Sequence, residues 1–288
     1  LNCFICILSV SVINSVQYFF PNLIPWSQVN TSLSGEVVRV GGLFRDELIS
    51  GSFLLYFLPF ALIFLKRVKL NYLEIFILII TFFGILFSGE RSAFISFLLF
   101  CGLYLLKDYK KNALFIIVVI LSISIIFYFN FYIFKRYTID LYASISNFQN
   151  SNYIGLFVSS IKLSTLNLKT FLIGSGADTF ANICDQNFNR FKNEIYLCNI
   201  HPHNFYLEIF YSFGVFPILF LVILYFKTLI KYLFNFRSLS DIQFILYTSV
   251  LVFFMPLKTS NSIFQQRFGF IFFLYLTILF YINSKKKL

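Results

Sequence analysis

Charge is what this chain has little of. Of its 288 residues, 23 are Lys or Arg and 12 are Asp or Glu, a charged fraction of 12%, where a soluble domain carries about 25%. With 59% apolar residues, including 43 Phe and 18 Tyr, the apolar mass far exceeds what one core can hide, which excludes a water-soluble globule. Polar low-complexity tracts are missing, so disorder is excluded as well. No repeat of about 20 to 50 residues is visible beyond the alternation of apolar run and polar connector. The net charge of +11 does not indicate nucleic acid, because the cations fall in small clusters between apolar runs rather than along one face.

What the chain does have is a series of apolar runs, at about 3–20, 48–65, 70–88, 92–106, 113–134, 204–226, 241–257 and 268–283. Most approach the roughly 20 residues that a helix needs to cross a bilayer. The expected fold is therefore all-α: a polytopic transmembrane bundle of about eight spans, with residues 1–288 forming one integral membrane domain. Residue 1 is Leu and the first run starts at once, so no cleaved signal peptide is expected. A start at Leu is what a fragment without its upstream spans, or a chain begun at an alternative start codon, is expected to show. Lys66, Arg67 and Lys69, then Lys107, Lys110 and Lys111, then Lys227, Lys231 and Arg237, then Lys285, Lys286 and Lys287 make every second connector basic. By the positive-inside rule these face the cytoplasm, as do both termini. The connector 135–203 then lies outside, between the fifth and sixth spans, as one large, partly helical loop. Its length marks it as the place for chemistry.

The only two histidines stand together in His201-Pro202-His203-Asn204, where that loop re-enters the membrane. An imidazole there can exchange a proton or hold a hydroxyl near pH 7. The plainer reading is an interfacial cap, with Asn204 or His201 closing the helix. Glu208, one turn further on, is a carboxylate entering hydrocarbon and by default a functional candidate. Outward cations are Arg39, Arg45, Arg91, Arg136, Arg190 and Arg267, with Lys135, Lys162, Lys169, Lys192 and Lys258. An arginine beside an apolar span, such as Arg91 in Gly89-Glu90-Arg91-Ser92, is placed to grip a lipid phosphate through its planar fork. In the stretch from Arg39 to Glu47, Asp46 and Glu47 either hold an acceptor sugar or neutralise Arg39 and Arg45. Gly174-Ser175-Gly176 reads as a turn. Cys184 and Cys198 share the outward loop and are expected to form a disulfide, which on the loop-entropy account contributes about 3 kcal/mol. The rival is zinc held by Cys184, Cys198, His201 and His203, although that spacing fits no common zinc motif.

Three places resemble the superfamily of bacterial O-antigen polymerases and O-antigen ligases. They are GGLFRDELISGSF with its preceding Arg39, the turn SGERSA at Ser88 to Ala93, and the block GSGADTF followed by HPHNFYLEIFYSFGVF, Gly174 to Phe216. His203-Asn204, with Gly214 after nine intervening residues, is similar to the ligase pattern. Pro217 departs from it, and no arginine lies near Tyr153, where Lys162 or Arg136 takes the cationic role instead.

The resemblance implies an enzyme of the inner membrane that uses an undecaprenyl-pyrophosphate-linked oligosaccharide, with no cofactor and no metal. Its acceptor is a glycan, for a polymerase, or lipid A core, for a ligase. Membrane lipids and a chain-length regulator are the other expected partners. His203 matches the motif histidine, Arg91 the turn arginine and Arg39 the basic residue before the Gly-Phe segment. The expected catalytic set is His203, Arg91 and Glu208. Arg39, Arg45, Asp46, Glu47, Arg136, Lys162, His201 and Asn204 are expected to bind substrate. The Asp-Glu entrance to the second span favours polymerase over ligase. A lipid-linked glycan flippase is the rival from another class, but the span centres are uncharged where a coupled transporter marks its route.

Overall fold

The computed structural model describes residues 2–31, 37–45, 48–70, 72–105, 107, 137, 142, 146, 152–191, 196–256, 258 and 260–284. The expected fifth span at 113–134 lies outside the described residues, as do the candidates Asp46, Glu47 and Arg136. In chain order the elements are α1 (Asn2–Phe19), β1 (Val29–Thr31), β2 (Val37–Val40), α2 (Ser50–Arg67), α3 (Tyr72–Ser88), α4 (Arg91–Leu105), α5 (Asn152–Ser164) and α6 (Leu168–Ile173). They continue with α7 (Phe180–Phe191), α8 (Phe205–Phe213), α9 (Val215–Asn235), α10 (Asp241–Phe253) and α11 (Gln266–Ser284). The described chain is thus mostly helical. The small antiparallel hairpin β1–β2, which pairs Asn30 with Arg39, is an addition to the all-α expectation. The polypeptide divides into two compact units, one of residues 1–142 with 235–252 and one of 143–234 with 253–288.

Among the described residues α1, α2 and α9 are long and apolar enough to cross a membrane, and shorter apolar helices lie within α3, α4, α5, α10 and α11. On α9, Phe216, Leu219, Phe220, Ile223, Phe226, Ile230, Leu233 and Phe234 are all exposed. Water would oppose such a surface, whereas lipid tails accept it.

In the first unit, α1 packs on α2 and α3 through a face that is not wholly apolar. Ser11, Asn14 and Gln17 are buried on it. Asn14 donates to the Gly84 carbonyl at 3.0 Å. Gln17 donates to the Ser27 carbonyl at 3.0 Å and accepts from the Gly42 amide at 2.7 Å. The loop carrying Arg39 and Arg45 is thereby laced to the end of α1. At the opposite ends of the helices, Lys66 meets Glu74 at 2.7 Å and Asp241 at 3.5 Å, while Lys107 meets Asp241 at 2.7 Å.

The second unit corrects the expected span at 204–226. The chain forms α8, breaks at Gly214, and restarts as α9. Periodicity does not see the break because both sides are equally apolar. Its cause is tertiary: Gly214 has φ +82°, and a Cβ there would stand 2.2 Å from the Leu172 carbonyl oxygen. Gly174, at φ +80°, comes as close to Ser212. The turn after Gly174 then caps α8, with Ser175 N–H donating to the Tyr211 carbonyl at 2.8 Å and Gly176 N–H to that of Ser212 at 3.1 Å. Pro217 falls in the first turn of α9, where a missing N–H costs nothing.

Residues 152–191 and 196–198 form a small core of their own around Leu156, Leu163, Phe180, Cys184 and Tyr196, closed by Tyr211 of α8. Cys184 and Cys198 are bonded to each other, with Cα atoms 5.6 Å apart. Two glycines test this account. Gly214→Ala is predicted to lower stability by about 2 kcal/mol or more, because strain and overlap coincide. Gly102→Ala, with nothing within 4 Å of the added carbon, is predicted to be neutral or to stabilise by about 0.5 kcal/mol. Thermal unfolding in detergent or bicelles measures both.

Candidate functional site

In the second unit the candidate residues gather at the start of α8. Asn204 is its N-cap: Oδ1 accepts from Tyr206 N at 3.0 Å and Leu207 N at 3.2 Å. Nδ2 donates to the carbonyls of Pro256 at 2.8 Å and Lys258 at 3.2 Å. One buried side chain thus joins α8 to the segment between α10 and α11, and all its polar valences are used inside the protein. It is the cap that the plainer reading of the sequence expects. Ser260 N–H adds a bond to the His203 carbonyl at 2.9 Å.

His203 sits just before this cap with φ +57°, a conformation that costs a non-glycine residue about 1 kcal/mol or more and that collects at functional sites. His203 N–H donates to His201 Nδ1 at 3.1 Å, and the two rings lie 4.1 Å apart between centroids. Burial and the neighbouring His203 push the His201 pKa down to about 4. Burial also lowers that of His203. Both imidazoles are therefore neutral at pH 7, the state in which a histidine can take up a proton. The Nε2 atom of His203 lies 3.1 Å from Asn199 Nδ2.

Glu208 lies one turn into α8 and is 4% exposed. Its carboxyl accepts from Ser262 Oγ at 2.5 Å and from Ile263 N–H at 2.7 Å. Burial pushes its pKa up to about 7, an effect the two hydrogen bonds oppose and the Asp178 charge reinforces. Lys258, 4% exposed, places its ammonium 5.5 Å from the centre of the Phe253 ring. Lys162, assigned to phosphate by sequence, rests over the Phe191 ring at 5.0 Å.

The other candidates belong to the first unit. Arg91 opens α4 directly after Glu90, half-buried. A cation at a helix N-terminus is at odds with the helix dipole, whose positive end favours an anion. Glu90, 8% exposed, accepts from Ser52 N–H at 2.6 Å and Ser52 Oγ at 2.9 Å, so it caps α2 from outside. Its carboxylate is 3.8 Å from Arg39, which also donates to the Leu48 carbonyl. Gly51 is glycine for this reason, since a Cβ would stand 2.7 Å from Glu90 Oε2. Arg45 is exposed at φ +55°, its carbonyl accepting from Gln28 N–H at 2.9 Å.

Sequence reasoning passed over Asn199, Ser262, Gln17 and Glu90. A signal existed only for Gln17, as the third polar residue of Ser11, Asn14 and Gln17 spaced along one helix face. The Gly174-Ser175-Gly176 turn spends its amides on α8 rather than presenting them to a phosphate. With Cys184 and Cys198 bonded together, the zinc set loses its thiolates, and among the described residues no group of three or more His, Cys, Asp or Glu is placed to hold a metal.

Among the described residues α1, α2 and α9 are long and apolar enough to cross a membrane, which marks the class as membrane protein. More particularly, the chain belongs to the O-antigen ligase family, a glycosyltransferase-like enzyme family whose profile matches residues 76–222, just over half of the chain. The match includes Arg91, His201, His203 and Glu208. No curated protein and no solved structure matches the chain.

The Glu208 carboxyl provides a pH test. Its pKa is about 7 in the folded protein against an ordinary 4.5, so folding favours the protonated form. That stability is complete below pH 4.5 and is lost as pH rises through about 7. Between these values the wild type is predicted to lose on the order of 3 kcal/mol from this group. Thermal unfolding of Glu208→Gln across the same range is expected to lack that decline.

Proposed function

We propose that this chain is an O-antigen polymerase. It transfers a glycan from an undecaprenyl-pyrophosphate-linked donor to a hydroxyl of an acceptor glycan, at the periplasmic face of the bacterial inner membrane. The observation that carries the reading is family membership over a stretch holding both Arg91 and His203. In this reading the chain forms a single membrane domain of about eight spans with both termini cytoplasmic. Residues 135–203 form the periplasmic loop.

The acceptor oxygen attacks the anomeric carbon. The bond from that carbon to the pyrophosphate oxygen breaks, and its electron pair leaves with the pyrophosphate. The hydroxyl proton passes to His203 Nε2. Arg91, assisted by Arg39 and Arg45, holds the departing charge, and loss of one such donor commonly costs about 100-fold. Arg136 and Lys162 supply further positive charge to the donor. Asp46 and Glu47 hold acceptor hydroxyls. His201, Asn204 and Glu208 keep the His203 turn in place. The neutral state of His203 supports its part as a base, and the position of Arg91 at a helix N-terminus supports its part with an anion.

A ligase is the second reading, favoured by the description of the matched family. Reconstitution with purified lipid-linked oligosaccharide separates the alternatives. Chain extension is the expected outcome; transfer to lipid A core identifies a ligase, and movement across the bilayer without bond formation a flippase. His203→Ala is predicted to lower transfer by about 100-fold or more with normal membrane insertion, and wild-type activity there would refute the role. Arg91→Lys, which keeps charge but loses the two-pronged fork, is predicted to lower transfer by about 10-fold or more; full activity would reduce Arg91 to a topological anchor.

A further inference from the structure

We infer that Asn199 is a positioning residue of the transfer site. Its side-chain amide holds His203 in the tautomer that keeps a lone pair on Nε2, and occupies that lone pair until the acceptor hydroxyl takes its place. The second half rests on the proposed function, while the first concerns the resting protein alone.

The orientation of the Asn199 amide follows from its neighbour. Ile200 N–H points at Asn199 Oδ1 from 2.7 Å, and a flipped amide would set that N–H against an NH2 group. Oδ1 is therefore the atom facing Ile200, and Nδ2, which can only donate, faces His203 Nε2 at 3.1 Å. Nε2 must accept, so the hydrogen of the neutral ring is on Nδ1. His201 is the reverse case. Its Nδ1 accepts from His203 N–H at 3.1 Å, which leaves its hydrogen on Nε2. Two histidines two residues apart are thus set in opposite tautomers, His203 by the Asn199 amide and His201 by the His203 N–H.

Both ends of the Asn199–His203 bond stand on braced backbone. Cys198, next to Asn199, is bonded to Cys184 of α7. Leu197 exchanges two hydrogen bonds with Ser159 of α5, at 2.9 Å and 2.8 Å, and Tyr196 donates to the Cys184 carbonyl at 3.3 Å. On the other side the His203 carbonyl is held by Ser260 N–H. The Asn199 side chain itself is exposed and His203 is half-buried, so an incoming hydroxyl can displace the amide from Nε2 without disturbing the core. Loss of Asn199 removes the donor that keeps hydrogen off Nε2, and a ring that carries its hydrogen on Nε2 has no lone pair there to take the acceptor's proton.

With only two histidines in the chain, the test is direct. Nitrogen NMR of the full chain, labelled with 15N-histidine and embedded in bilayers, is expected to show one ring protonated at Nδ1 and one at Nε2. Asn199→Ala should shift the first toward Nε2–H and leave the second unchanged. Asn199→Asp, whose carboxylate accepts, should place both hydrogens on Nε2. A wild-type spectrum with both rings already Nε2–H, or one that Asn199→Ala leaves unaltered, overturns the assignment. In transfer assays Asn199→Ala is expected to lower kcat about fivefold or more without raising the acceptor KM, and Asn199→Asp to match His203→Ala. A raised KM at unchanged kcat would make Asn199 a substrate contact and overturn the positioning role. The expected spectrum in a protein that transfers no glycan would uphold the tautomer and remove the acceptor from the inference.

Discussion

The second unit depends on the amide of Asn204. Its oxygen supplies the acceptor that the first turn of α8 lacks, and its nitrogen secures the two carbonyls at Pro256 and Lys258. A buried amide with an unmet group is costly, on the order of 1–3 kcal/mol, so the geometry in which every valence is met is strongly preferred. That geometry also sets where His203 leaves the chain and where Ser262 and Ile263 meet Glu208.

The far end of the same helix is under an equally strict condition. Gly174 and Gly214 let two backbones approach more closely than any side chain would allow, and the amides after Gly174 terminate α8. A helix of nine residues is marginal by itself. Here it is capped at one end by a side chain and at the other by a turn, and Tyr211 is sunk into the core of the preceding loop. Glu208 and the histidine turn thus rest on a short helix separate from the long apolar α9, which frees a polar site from having to lie within a membrane-crossing segment.

The first unit solves a related problem by different means. Gln17 and Glu90 are buried polar groups whose bonds go to loops and helix ends rather than to each other. Gln17 holds the amide of Gly42, between Arg39 and Arg45, and Glu90, itself next to Arg91, holds the first turn of α2. In low-dielectric surroundings such groups are tolerated only when satisfied, and so they rigidify the elements that present Arg39 and Arg91.

Much of this could be read from residue order. The scarcity of charge and the length of the apolar runs required helices with lipid-compatible faces, because an unpaired backbone cannot remain in hydrocarbon. Local motifs around Arg91 and His203 pointed to the family. The order of residues could not reveal the division of the run 204–226 into α8 and α9, because Gly214 is demanded by Leu172, distant in sequence. Nor could it reveal the partners of Gln17, Glu90 and Glu208, or the amide that faces His203. Hydrophobic periodicity is a property of neighbours along the chain, and composition set the class of protein through it. Hydrogen-bond direction, burial and close backbone approach arise between segments far apart, and these the tertiary structure alone decided.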